Sequence, residues 1–119
     1  MNKHESINYV EYPCCDLEKT KIFFSAVFGW KFKDFGPEYA AFSKEESGLD
    51  GGFFKANLKN DVTTGAALIV FFSNDLESTQ QKIEYNGGFI NEAIFSFPGG
   101  RRFHFKDPSE NEFAVWSDK

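Results

Sequence analysis

Two stretches half a chain apart carry the same punctuation. Asp16-Leu17-Glu18-Lys19-Thr20 returns 59 residues later as Asp75-Leu76-Glu77-Ser78-Thr79. Thirteen residues beyond each Asp stands a Gly, Gly29 or Gly88, followed by an aromatic, Trp30 or Phe89. An apolar, strand-like run precedes each Asp, at 7–12 and 67–72. Coincidence in that order marks a duplicated unit. A chain of 119 residues is long enough for one hydrophobic core and too short for two independent ones. It therefore reads as a single domain, 1–119, with internal repeats at 5–58 and 64–119.

Each repeat predicts the same elements. The first strand runs into Asp, whose carboxylate caps the free N–H groups of a helix. The first helix, 16–28, puts Leu17, Thr20, Phe24, Val27 and Phe28 on one stripe, and Gly29 ends it in the left-handed region. The second, 75–86, has a thinner stripe of Leu76, Thr79 and Ile83, ending at Gly87-Gly88. Strands are predicted at 30–35, 39–43 and 52–56, and again at 89–97, 101–106 and 112–116. Gly36-Pro37, Gly48, Pro98-Gly99-Gly100 and Asp107-Pro108 mark turns, and the polar stretch 57–65 is the linker. The class is α+β, in the order βαβββ twice.

Composition narrows the function classes. Lys and Arg number 13 against 18 Asp and Glu, for a net charge of −5 and a pI near 5.0. Apart from Arg101-Arg102 the cations are scattered, which argues against a nucleic-acid partner. The longest apolar run, 66–72, is too short to cross a bilayer, and no apolar leader core follows the first residues. The expectation is a cytoplasmic protein with neither membrane nor nucleic acid as partner. Cys14 and Cys15 are adjacent, which suits neither a structural bridge nor a metal pair, and read as two reduced thiols in a loop. Sixteen Phe, four Tyr and two Trp must fill a core or line a pocket.

The stretch Asn8-Tyr9-Val10-Glu11-Tyr12-Pro13, Asp16-Leu17-Glu18-Lys19, Phe23-Phe24 and Val27-Phe28-Gly29-Trp30 resembles the opening of the vicinal oxygen chelate superfamily. That superfamily includes glyoxalase I, fosfomycin- and bleomycin-resistance proteins and extradiol dioxygenases. Residues 105–113, Phe-Lys-Asp-Pro-Ser-Glu-Asn-Glu-Phe, are similar to its closing signature, with Glu110 where Gly is usual. The resemblance covers essentially the whole chain. It implies a cup-shaped mixed sheet in which two βαβββ modules share a cleft, and often a homodimer. The modules around one cleft come from one chain or from two; the sequence leaves both open.

Metal-dependent relatives hold their ion with His, Glu or Gln facing the cleft. The resemblance places those positions at Tyr9, seven residues before Asp16, at Leu68, seven before Asp75, and at Ala114, seven after Asp107. A fourth falls near residues 52–54. A phenol, two aliphatic side chains and a Gly/Phe segment offer no donor set for a divalent ion. His4 precedes the first strand, and His104 stands alone. The expectation is no metal and no other cofactor.

Strand alternation then populates the cleft. If Tyr9 faces it, so does Glu11, with Val10 and Tyr12 toward the helices. Phe103 and Phe105 are core-facing, which turns Arg102 and His104 into the cleft. Ala114 and Trp116 share that face, as do Leu68 and Val70. A buried Glu11 should meet Arg102, His104 or a ligand cation. One reading of the group is a self-satisfied ion pair. The other makes Glu11 a general base, His104 or Tyr9 a general acid, and Arg102 the holder of an anionic group.

Three functions fit these residues. The first binds a small polar metabolite in the inter-module cleft as a metal-independent lyase or isomerase related to lactoylglutathione lyase. The second sequesters a cationic drug, as bleomycin-resistance proteins do, without catalysis. The third is an interaction domain with a vestigial cleft.

Overall fold

The computed structural model describes residues 2–119. In chain order its elements are β1 (Tyr9–Cys14), α1 (Leu17–Phe28), β2 (Phe32–Asp34), β3 (Tyr39–Phe42), α2 (Lys44–Ser47), β4 (Asp50–Lys55), β5 (Ile69–Phe72), α3 (Leu76–Tyr85), β6 (Phe89–Phe97), β7 (Gly100–Lys106) and β8 (Glu112–Ser117). Strands β1–β4 form one sheet in the order β1-β4-β3-β2, and β5–β8 form the other in the order β5-β8-β7-β6. In each, the outer two listed first pair in parallel and the rest antiparallel. The repeat seen in the sequence is thus a repeat of α+β topology, βαβββ twice.

Local chemistry accounts for the helix ends. The Asp16 carboxylate accepts from Lys19 N at 3.0 Å, and that of Asp75 from Ser78 N at 3.1 Å. Each such cap contributes about 1 kcal/mol. Gly29, at φ 72°, closes α1 as a left-handed residue. The unforeseen element is α2, capped by Ser43 and closed by Gly48 at φ 90°. Glu45 and Glu46 belong to it. The first strand begins two residues late, at Tyr9, and leaves Ile7 exposed. Trp30, expected to open β2, is instead buried beneath it, its ring 4.7 Å from Phe24. The linker is laced rather than loose: Asn60 N donates to Asn111 Oδ1 at 2.8 Å, and Glu112 N donates to Asn60 O at 2.8 Å.

Where the core sits decides where a site can be. Phe23, Phe24, Phe53, Phe103, Phe105 and Phe113 are fully buried. Phe24 of α1 lies 5.2 Å from Phe53 on β4 and 5.5 Å from Phe113 on β8, while Phe28 stacks on Phe71 of β5 at 4.4 Å. One helix therefore packs on both sheets. That explains why Phe23, outside the expected stripe, is buried: its ring faces Phe105 at 6.1 Å. Both sheets turn the same kind of face to α1, and their other faces turn away from this shared core.

Candidate functional site

On the sheet of β1–β4, the outward face carries Tyr9 and Glu11, as alternation predicts, with Val10 and Tyr12 packed inward. Their partner is Tyr39 on β3, a residue the sequence reading missed. Tyr39 Oη lies 2.5 Å from Tyr9 Oη and donates to Glu11 Oε2 at 2.8 Å. A carboxylate only accepts, so Tyr39 spends its one proton on Glu11 and accepts from Tyr9. The result is a directed chain, Tyr9 to Tyr39 to Glu11. Burial, then the bonds to Tyr9 and Glu11, hold the Tyr39 hydroxyl above the usual phenol range. Gly52 makes room for it, since a methyl there would collide with the Tyr39 hydroxyl.

The second group lies on the sheet of β5–β8. Register puts Val70 beside Ala114, Ala114 beside His104, and Trp116 beside Arg102, all on one face. His104 is buried between neighbours the sequence reading did not foresee. Its Nδ1 lies 3.1 Å from Glu112 Oε2, and its Nε2 lies 3.0 Å from Arg102 Nη2 and 3.6 Å from Glu92 Oε2. A guanidinium only donates, so Nε2 accepts from Arg102 and the ring proton sits on Nδ1, donating to Glu112. Burial works against the Glu112 carboxylate, but the His104 and Val62 hydrogen bonds hold it below the usual range. Carboxylate, imidazole and guanidinium form a line that fixes Arg102.

Arg102 leans on Phe95, its guanidinium carbon 5.4 Å from the ring. Its buried Nε has no acceptor among the described residues, an unmet donor in the middle of an aromatic face. Phe72 and Phe97 flank it through Trp116, at 5.1 and 6.2 Å between rings. Leu68 stands half-buried just before β5.

Glu11 was expected to meet Arg102 or His104; within the chain it meets neither. β1 is an edge strand, Glu11 is exposed rather than buried, and α1 stands between the two outward faces. The sequence-predicted site therefore divides into a Tyr9/Glu11 half and an Arg102/His104/Ala114/Val70/Trp116 half.

Neither half suits a divalent metal. Tyr9 is committed to Tyr39, Leu68 and Ala114 offer no lone pair, and Gly52 is filled by a phenol. His104 reaches Glu112 and Glu92 from opposite sides of its ring, so the three donors do not converge. Among the described residues no cluster of three His, Cys, Asp or Glu side chains is placed to hold an ion.

Residues 6–115 match the family model described as the Glyoxalase/Bleomycin resistance protein/Dioxygenase superfamily. Several solved structures share the fold. A glyoxalase/bleomycin resistance protein/dioxygenase family enzyme from Burkholderia phytofirmans PsJN is 14% identical, with 96% of this chain and 99% of that one covered at a TM-score of 0.77. A fosfomycin resistance protein from Listeria monocytogenes is 17% identical, with 98% and 94% covered at 0.73. A lactoylglutathione lyase from Agrobacterium tumefaciens is 14% identical, with 98% and 96% covered at 0.69. At these identities the likeness is one of fold. No curated protein matches the chain by sequence.

Proposed function

Because the chain belongs to the glyoxalase/bleomycin resistance protein/dioxygenase superfamily, we propose that it binds a small organic acid on the open face of β5–β8 and acts on it without a metal, as a lyase or isomerase. The observation that carries this reading is the unmet Nε of Arg102, held in place by His104 and Glu112. A carboxylate accepts two parallel bonds from a guanidinium edge; Nε is covered in the free chain, and the ligand carboxylate supplies the acceptor it lacks as the Phe95 ring beside the guanidinium swings aside. Trp116, Val70, Ala114 and Leu68 give the apolar floor, with Phe72 and Phe95 as walls.

The proton chemistry belongs to the other half of the site. Glu11 is the base, reached through Tyr39 and Tyr9. A proton leaving the carbon beside a carbonyl passes to Tyr9 while Tyr9 passes its own to Tyr39 and Tyr39 to Glu11. The electron pair left behind moves onto the carbonyl oxygen, and the return path delivers the proton to the neighbouring carbon or to a leaving group. His104, which alternation suggested as an acid, accepts from Arg102 at Nε2 and spends its ring proton on Glu112 at Nδ1. Its role in this reading is to aim the guanidinium.

The two halves meet when a second copy lays its β1–β4 face against the β5–β8 face of the first. Superfamily members are commonly dimeric. The exposure of Tyr9, Val70 and Phe72 in one chain, at 45%, 41% and 50%, supports such a homodimer.

Melting curves against a panel of 2-hydroxy and 2-oxo acids and their uncharged amides test the binding. An acid should raise the melting temperature and its amide should not. Arg102→Met should weaken the acid at least tenfold, about 1.4 kcal/mol or more. Equal stabilisation by acid and amide contradicts the reading. A drug-sequestering protein is the second reading, favoured by the exposed Glu11 beside two phenols. It requires an organic cation to stabilise the chain through Glu11, with no turnover of any acid.

A further inference from the structure

A cavity of about 290 Å³ lies between the edge of β5 and the inward side of β1, roofed by α2. Val10, Phe28, Trp30, Phe42 and Phe71 wall it. The rings are tightly set, with Trp30 4.3 Å from Phe42 and Phe28 4.4 Å from Phe71. Among the described residues the single ionisable side chain at its wall besides the buried Tyr12 phenol is Glu46, on α2.

Glu46 is half-buried, and among the described residues no cation lies within ion-pair distance of it. A carboxylate drawn partly out of water with no partner costs free energy that a ligand cation recovers. Aromatic walls favour the same charge, because ring faces attract cations. The volume, at the small end of ligand sites, suits a molecule on the order of ten heavy atoms. We propose that this cavity is a second ligand site that takes a small amphipathic cation, with an apolar body against Trp30, Phe42 and Phe71 and an ammonium at Glu46.

The site is not a copy of the one on the open face, although Val70 and Phe72 of β5 border both. Its roof has no counterpart in the second repeat, where the turn 107–111 replaces α2. Its charge preference is opposite to that of Arg102. The loop that makes it is tightly built: Lys44 N donates to Asp50 Oδ1 at 2.7 Å, and Ser47 Oγ bonds to Ser43 O at 3.0 Å. Glu46 is thereby held at the rim.

Calorimetry on the full chain with 2-phenylethylammonium tests the assignment. One cation should bind per chain. Glu46→Gln should weaken it at least tenfold, and Leu49→Trp, which fills the cavity from its rim, should abolish it. 3-Phenylpropionate, the same body with the opposite charge, should not compete. In a Trp116→Phe chain Trp30 is the only indole, so its emission should shift on binding. Absence of binding, equal affinity in Glu46→Gln, or unchanged Trp30 emission overturns the proposal. Arg102→Met separates the two sites: the cation affinity should be unaffected, and a several-fold gain, from removing a like charge, would place the cation on the open face and end the proposal.

Discussion

Asp107 shows how one side chain can set the pH behaviour of the whole fold. It is buried at the β7–β8 turn, and its Oδ1 accepts from Ser109 N and Asn111 N at 2.9 Å each. Its Oδ2 has no partner among the described residues. Burial outweighs the two hydrogen bonds and pushes the carboxyl up to about 7 from 3.8. The folded chain therefore holds a proton between about pH 4 and 7 that the unfolded chain has lost. Stability from this group is complete below about pH 4 and declines as pH rises to about 7, by on the order of 4 kcal/mol. Asp107→Asn keeps an acceptor for the turn and has nothing to titrate. Urea unfolding at pH 5 and pH 8 should give the variant a smaller difference between the two than the wild type, and an equal difference contradicts the account. The same turn holds the repeats together, through Asn111 Nδ2 on Pro13 O at 2.6 Å and the Thr20–Ser109 hydroxyl pair at 2.9 Å. Cys14 beside it is a buried free thiol, its pKa pushed by burial up to about 11; it closes β1 rather than lying in a loop, because alternation and the parallel pairing with Lys55 extend the strand to it.

At the next level, strands and helices were legible to different degrees, for physical reasons. α1 and α3 announced themselves through Asp caps and terminal Gly, signals that local hydrogen bonding reads directly. α2 is a single turn, too short for any periodicity, although Ser43-x-x-Glu46 has the spacing of a capping pair. The outward faces of β7 and β8 followed from alternation, and Tyr39 could have been found the same way, opposite to Ala40 and Phe42. Glu92 could not. β6 shifts register on either side of it, so plain alternation back from Phe97 and Phe95 puts Asn91 and Ala93 on that face instead. The β3–β4 pair carries its own test. Gly52→Ala sets a methyl against the Tyr39 hydroxyl and should cost about 1–3 kcal/mol, lowering the melting temperature and parting Tyr39 from Glu11. A variant as stable as the wild type contradicts that packing.

For the molecule as a whole, the sequence specified each module well and their mutual arrangement poorly. Repeats and element order were both readable from spacing and resemblance. That Glu11 and Arg102 belong to faces turned apart was not, because it depends on α1 serving both sheets. The clue was Phe23, Phe24 and Phe28 together, more aromatic surface than one sheet needs. Among the described residues no helix is long and apolar enough to cross a membrane; in the proposed dimer the exposed apolar face of β5–β8 is covered by a second copy.

Subunit complementation tests that arrangement most directly. On the proposed mechanism Glu11→Gln and Arg102→Met chains should each be inactive alone in exchanging the α-proton of a 2-hydroxy or 2-oxo acid with solvent deuterium; the two are mixed and allowed to exchange subunits. Each mixed dimer then has one cleft with both native residues and one with neither, so exchange should return to about a quarter of the wild-type rate. A mixture no more active than its components would mean that Glu11 and Arg102 do not act across two copies.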